Sequence, residues 1–431
     1  MTLPFLTKYD PTEIPGGTID PLGFFLPYMR LADEWIPGLT NAADQPRYCS
    51  MLCRGALIAS KHSRKQDLSG IEDRKLRLEI IKRYERIWVL ACTIALGKKA
   101  EGMGLRGITY AQTELMRSRA RTDYTLLGNQ LRYGAIGMYA PMSIALELLT
   151  KDYVPEARGV ELANVFPFDP EIDELAVQHK DGSISKDKLL EWGRKVRVGK
   201  LLAQEKRILR DALNSNPKRK IALNLLETVP RTINELDRLR QIRVNLSHTK
   251  NRTDLEETRV KLLDVIARFE YFYNLSISAF NLIRWNATKT GSGWNSLSPD
   301  NFLSKQLPIA KKSAETFLGL KAAMQFVFRD TQASEIFRSP IELAKKTQLC
   351  SSASEWVNIL VGHHKEVQHG RFGESTEKAA WLFKNNDLVF VGANRYKLNT
   401  PVTSNYEIEP HSYKSLSADN FIGLNLEHEK I

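Results

Sequence analysis

The sequence predicts a mainly α-helical, multi-domain protein that ends in a small α+β part. Three observations carry this expectation. Apolar residues recur at spacings of three and four over most of the chain. Helix-capping sequences stand at the head of several of those stretches. Only the C-terminal end shows short β-type runs separated by turn sequences. At 431 residues and 42% hydrophobic, the chain can fill two or three cores.

Taken in order, the first nineteen residues hold Pro4, Pro11, Pro15, Gly16 and Gly17 and read as an extended arm. Asp20-Pro21 reads as an N-cap followed by proline at the first helical position, and Pro27 should kink or shorten the helix that follows. "PRYCSMLCRGALIAS" is a second, mostly buried helix with Cys49 and Cys53 on one face. A long helix is expected from about Ser69 to Leu96, stopped by Gly97, because Leu76, Ile80, Ile81, Tyr84, Ile87, Trp88 and Ala91 keep a helical period. The glycine-rich stretch from Asp123 to Ala140 should pack closely on its neighbours.

The middle reads as helical throughout. Thr253 and Glu256 form a capping box, and the apolar spacing runs from there to about Asn286, roughly 50 Å of helix. "TKTGSGW" then reads as a joint, and Pro299, Pro308 and Pro340 as helix starts. Ser352 and Glu355 form another capping box, heading a helix from about Ala353 to His369 with Gly370 beyond it. "WLF", "LVFV" and "YKL" read as strands joined by "KNND" and "GANR". This gives segments 1–104, 105–170, 171–290 and 291–431, with no internal repeat.

Charge narrows the function classes. Lys and Arg number 62 against 50 Asp and Glu, a net charge of +12, which favours polyanionic partners. The excess is concentrated: Arg194, Lys195, Arg197, Lys200, Lys206, Arg207, Arg210, Lys218, Arg219 and Lys220 face only Glu205 and Asp211. The plain reading is a solvated helix face; the functional one is a surface that tracks phosphates. The four cysteines are too few and scattered for a disulfide framework or a zinc site. No signal segment or membrane-length apolar run is read, so a cytoplasmic protein without cofactor is expected.

Motifs add candidates. "GMGLRG", Gly102 to Gly107, fits a dinucleotide pattern, but a helix rather than a strand precedes it, so a loop is expected. "HHKEVQHGR", His363 to Arg371, crowds three of the eight histidines into nine positions. Its histidine spacings do not suit one metal ion, and Glu366-x-x-His369 is half of a di-iron motif. The period places His363 on the apolar stripe with Trp356, Ile359, Leu360 and Val367. His364, Lys365, Gln368 and Arg371 suit phosphate and base edges instead, and a hairpin carrying Lys384, Asn385, Asn386, Arg395 and Lys397 follows.

Three resemblances extend this reading. Arg243 and His248 have the R-x4-H spacing of HEPN ribonucleases; the resemblance implies metal-independent RNA cleavage by a homodimer, with His248 as acid-base and Arg243 stabilising the phosphorane. The segment Ala145 to Phe166 resembles the helix, wing and closing helix of a winged helix through Leu149, Thr150, Arg158, Gly159, Leu162 and Ala163, covering roughly 107–166. "PGGTIDPLG", "IPGLTNAADQPRY", "ARGVELANVF", "HHKEVQHGR" and "HSYKSLSADNFIGL" together resemble uncharacterised bacterial proteins that look like components of antiviral or mobile-element gene clusters. In the second of these, Arg47 reads as a structural residue at a helix junction, paired with a carboxylate or carbonyl.

The expectation is a non-catalytic nucleic-acid-binding or adaptor subunit of a bacterial antiviral or restriction-like complex, with DNA and other subunits as partners. The rivals are the Arg243–His248 ribonuclease and a helical protein-interaction scaffold.

Overall fold

The computed structural model describes residues 20–40, 43, 45–178, 182–291, 293–299, 301–328, 335–373 and 380–392. The expected arm at 1–19, the "YKL" run, Arg395, Lys397 and "HSYKSLSADNFIGL" lie outside these residues. The described chain is mainly helical and packs as two units, one of residues 36–228 and one of 20–35 with 229–392. The divisions fall at 35/36 and 228/229.

The 36–228 unit is built on two helices, α2 (Arg47–Lys65) and α3 (Gly70–Leu96). Ser69 precedes α3, and Gly97 ends it with a φ of 55°, a conformation open to glycine. A 3₁₀ turn (Gly97–Ala100), α4 (Ile108–Glu114) and β1 (Arg119–Arg121) follow. Next come α5 (Gln130–Tyr133), α6 (Ala135–Ala145), α7 (Ala157–Val165), α8 (Pro170–Val177) and β2 (Ser183–Ser185). The unit closes with α9 (Lys186–Val196), α10 (Ala203–Asn214) and α11 (Pro217–Glu227). β1 and β2 pair antiparallel, Ala120 opposite Ile184. Its core is aromatic: Tyr48 stacks on Tyr139 at 4.3 Å and meets Trp88 edge-on at 4.7 Å. "GMGLRG" forms the loop between the 3₁₀ turn and α4, as expected.

Between α6 and α7, within the stretch that resembles a winged helix, the chain makes a tight turn with one isolated bridge, Leu149 to Pro155. The Thr150 hydroxyl accepts the Asp152 and Val154 N–H groups and holds that turn. Gly159 lets α7 lie against the turn, since a Cβ there would stand 1.9 Å from the Leu148 carbonyl oxygen. The arginine-glycine pattern therefore serves close packing here.

In the second unit, α1 (Phe25–Trp35) packs on α13 (Asp254–Thr290), which α12 (Glu235–His248) also lines. Pro27 does not kink α1: it falls in the first turn, where its missing N–H breaks no helical bond. α13 starts at the Thr253–Glu256 capping box, as expected, and runs 37 residues. Phe24, Phe269, Phe272 and Phe317 cluster along it at ring separations of 5.5 to 6.2 Å. α14 (Asn301–Leu318), α15 (Lys321–Phe328), α16 (Arg338–Leu349) and α17 (Ala353–Phe372) complete the helices described.

Pro308 does not start a helix but lies inside α14, where buried Leu307 and Ala310 on either side hold the helix in place. Gly370 likewise does not end α17; Gly373, at φ 54°, does. The "joint" leads into β3 (Trp294–Asn295), which pairs with β5 (Leu388–Val391). β5 also pairs with β4 (Leu382–Asn385), giving a three-stranded antiparallel sheet in the order β3-β5-β4.

Candidate nucleic-acid interface

The basic segment becomes a surface through two anchors. The first is the start of α2. Arg47, at the helix junction, is fully buried and pairs through Nη1 with Glu205 on α10 at 3.0 Å; Glu205 is equally buried. Arg47 Nη2 also donates to the Lys195 carbonyl at 3.1 Å, and its guanidinium lies 5.0 Å from the Phe166 ring centre. Burial lowers the Arg47 pKa, and Glu205 opposes that shift. This is the carboxylate-and-carbonyl role read for Arg47 from sequence. Glu205 reaches back to the Leu202 N–H at 2.9 Å and so also caps α10.

The second anchor is the packing of α9 on α3. Gly193 allows it: a Cβ there would lie 2.1 Å from the Ala91 carbonyl oxygen. The Trp88 indole donates to the Val196 carbonyl at 2.9 Å, and the Cys92 thiol reaches the same oxygen. Gly199 faces Met103 just beyond the 3₁₀ turn. The end of α9 and the 197–202 connection therefore run beside the end of α3, where exposed Lys98 and Lys99 stand. Sequence reasoning passed over these two lysines because they lie almost a hundred residues from the basic segment; only the α3–α9 packing brings them near it.

On this frame Arg194, Lys195, Lys200, Arg207, Arg210 and Lys220 are exposed. Arg197, Lys206 and Lys218 are half-buried. α10 buries Ile208, Leu209, Ala212 and Leu213, so Lys206, Arg207 and Arg210 occupy its other side. Lys195 pairs with Glu191 at 3.0 Å on an exposed face, a contact of little energy.

Arg219 departs from the expectation. It is 1% exposed. Its guanidinium donates to the Leu213, Ala212 and Pro37 carbonyls at 2.6, 2.8 and 3.0 Å. It caps the end of α10, and burial brings its pKa down to about 10. It is a structural cation, held inside the fold by these three carbonyls.

The C-terminal helix departs further. His363 is buried, as its place on the apolar stripe implied, but His364 and Gln368 are buried with it. His364 Nδ1 lies 2.8 Å from the Pro21 carbonyl, and its Nε2 accepts the Trp381 N–H at 2.9 Å. That pairing requires the neutral ring, with its proton on Nδ1. Burial brings the His364 pKa down to about 4, the Pro21 carbonyl opposing. Arg371 grips Asp20 through its carboxylate and its carbonyl, both at 2.6 Å. Asp20 in turn accepts the Phe24 and Phe25 N–H groups and caps α1. Of His364, Lys365, Gln368 and Arg371, Lys365 is exposed and Arg371 is exposed but engaged by Asp20, while the other two are buried. Sequence periodicity assigned a second polar face to α17 without knowing that residues 20–25 would cover it.

The remaining candidates are placed as follows. Arg243 pairs with Asp264 on α13 at 2.7 Å, and Asp264 also holds Arg268 at 3.1 Å. His248 is exposed in the last turn of α12. Five residues apart on one helix, Arg243 and His248 point about 140° from each other. Glu366 pairs with Lys346 at 2.8 Å, and among the described residues no group of three His, Cys, Asp or Glu could hold a metal ion. No described helix is long and apolar enough to cross a membrane. Burial pushes the Cys49 and Cys92 thiols up to about 12, so both are packing residues. No protein-family model, curated protein or solved structure matches the chain.

Proposed function

We propose that this chain is a non-catalytic nucleic-acid-binding or adaptor subunit of a bacterial antiviral or restriction-like complex, acting in the cytoplasm. DNA is the first polymer to test. The contact surface is formed by Lys98 and Lys99 with Arg194, Lys195, Arg197, Lys200, Lys206, Arg207 and Arg210. The observation that carries this reading is the docking of α9 and α10 by Arg47–Glu205 and Gly193, which puts the basic segment beside the end of α3. Phosphate contacts position a protein without reading sequence, so the interface is expected to be sequence-tolerant.

The test is fluorescence anisotropy with duplex DNA across a salt series. Six or more phosphate contacts imply a loss of a few decades in affinity between roughly 50 and 200 mM salt. The double variant Lys200→Glu/Arg207→Glu should weaken all sequences alike and flatten the salt slope by about one for each phosphate no longer neutralised. Affinity that ignores both salt and charge reversal ends the proposal and leaves the protein-interaction scaffold.

A further inference from the structure

A cleft of about 300 Å³ opens between α2 and α8, inside the 36–228 unit, and the interface above uses none of its side chains. Its α2 wall is one helical stripe of Arg54, Leu57, Ile58, Lys61, His62 and Lys65. α8 contributes Asp173, Glu174 and Val177. Three chemical characters meet there. Leu57, Ile58 and Val177 give an apolar floor. Lys61 and Lys65 are exposed and form no ion pair among the described residues. Asp173 gives Oδ2 to Arg54, while its buried Oδ1 has no hydrogen-bond partner. Arg54 cannot easily follow Asp173 elsewhere: its guanidinium lies 4.3 Å from the Phe168 ring centre, on the side of the Ala163 carbonyl.

An apolar floor, a carboxylate edge from Asp173 and exposed Glu174, and two ammonium groups describe one ligand class well: a planar heterocycle joined to a phosphate. The volume lies at the small end of the range for small-molecule sites, which suits one nucleotide unit. We propose that the cleft binds one nucleoside monophosphate unit. The base lies on Leu57, Ile58 and Val177 with an N–H turned to the carboxylate edge at Glu174, and the phosphate meets Lys61 and Lys65. The unit can come from a free mononucleotide or from the phosphorylated end of a strand. The proposal goes beyond the polynucleotide reading and does not depend on it.

Isothermal titration of the full chain with AMP, GMP, CMP and UMP, and with a 5′-phosphorylated trinucleotide, tests it. Saturable one-to-one binding is expected for at least one of these at submillimolar Kd. Lys61→Glu/Lys65→Glu should weaken it about tenfold or more with melting temperature unchanged, since both side chains are at the surface. Val177→Phe, which fills the half-buried floor, should weaken it as well. Lys151→Glu, an exposed control in the same unit, and Lys200→Glu/Arg207→Glu should leave it intact. Binding of the trinucleotide alone identifies a strand end as the source. Absence of saturable heat with every ligand at millimolar concentration overturns the proposal, as does binding indifferent to Lys61→Glu/Lys65→Glu. Loss of duplex affinity in Lys200→Glu/Arg207→Glu with nucleotide binding kept separates this site from the polynucleotide surface.

Discussion

Arg47 shows how one side chain can hold a basic face without belonging to it. Its guanidinium and the Glu205 carboxylate are both removed from water. Each would be costly there alone, and the pair offsets that cost through close geometry and the Lys195 carbonyl. Arg47→Ala leaves Glu205 buried and unpaired, so a loss of about 3–5 kcal/mol in denaturant unfolding is expected. Replacing both partners by apolar residues of similar size should recover most of it, because no lone charge then remains. A single variant as stable as the parent would show that α10 is held by other contacts. Arg219 follows the same logic with carbonyl oxygens as partners, which is why counting arginines overstated the charge available to a ligand.

At the scale of elements, the contact between α9 and α3 decides whether the basic segment has a fixed place. Gly193 is the residue that allows it, because a methyl group there would meet the Ala91 backbone rather than a side chain that can move. Gly193→Ala should destabilise the 36–228 unit by about 1–3 kcal/mol, read as a shift in denaturation midpoint. It should also weaken the proposed DNA binding, because Arg194, Lys195 and Lys200 would be carried away from Lys98 and Lys99. An undisturbed affinity in a destabilised variant would separate the packing from the proposed function. α17 makes the complementary point. Its Ser352 cap and apolar stripe were readable in advance, but its polar face is spent on residues 20–25 and on the hairpin through His364.

For the whole molecule, the two units carry buried titratable groups of opposite sense. His364 has its pKa brought down to about 4 by burial. A histidine whose folded pKa lies below its unfolded value contributes stability that is complete above about pH 6.5 and is lost as pH falls toward 4. Glu85 on α3 is fully buried, accepting the Gln130 amide at 2.7 Å and the Ala135 N–H at 2.6 Å. Burial raises its pKa to about 7, with the Gln130 and Ala135 donors opposing. A carboxyl group raised in this way contributes stability that is complete below about pH 4.5 and is lost as pH rises through 7. Each effect is on the order of 3 kcal/mol across its window. Hydrogen exchange resolved by segment should therefore show α17 losing protection on acidification from pH 6.5 and α5–α6 losing it as pH rises toward 7. Protection that moves in the same direction in both segments would contradict this assignment.

The sequence alone determined the helical class, the ends of α3, the capping box of α13, the Ser352 cap of α17, the β4–β5 hairpin and the role of Arg47. These follow from local periodicity, capping chemistry and turn residues, which act within a few positions of one another. Tertiary structure decided which polar side chains remain at the surface. It buried His364, Gln368 and Arg219, drew Lys98 and Lys99 beside a distant segment, placed an edge strand after the glycine joint, and opened the α2–α8 cleft. Burial of a charge or a ring nitrogen depends on what another part of the chain brings to it, and no local pattern encodes that partner.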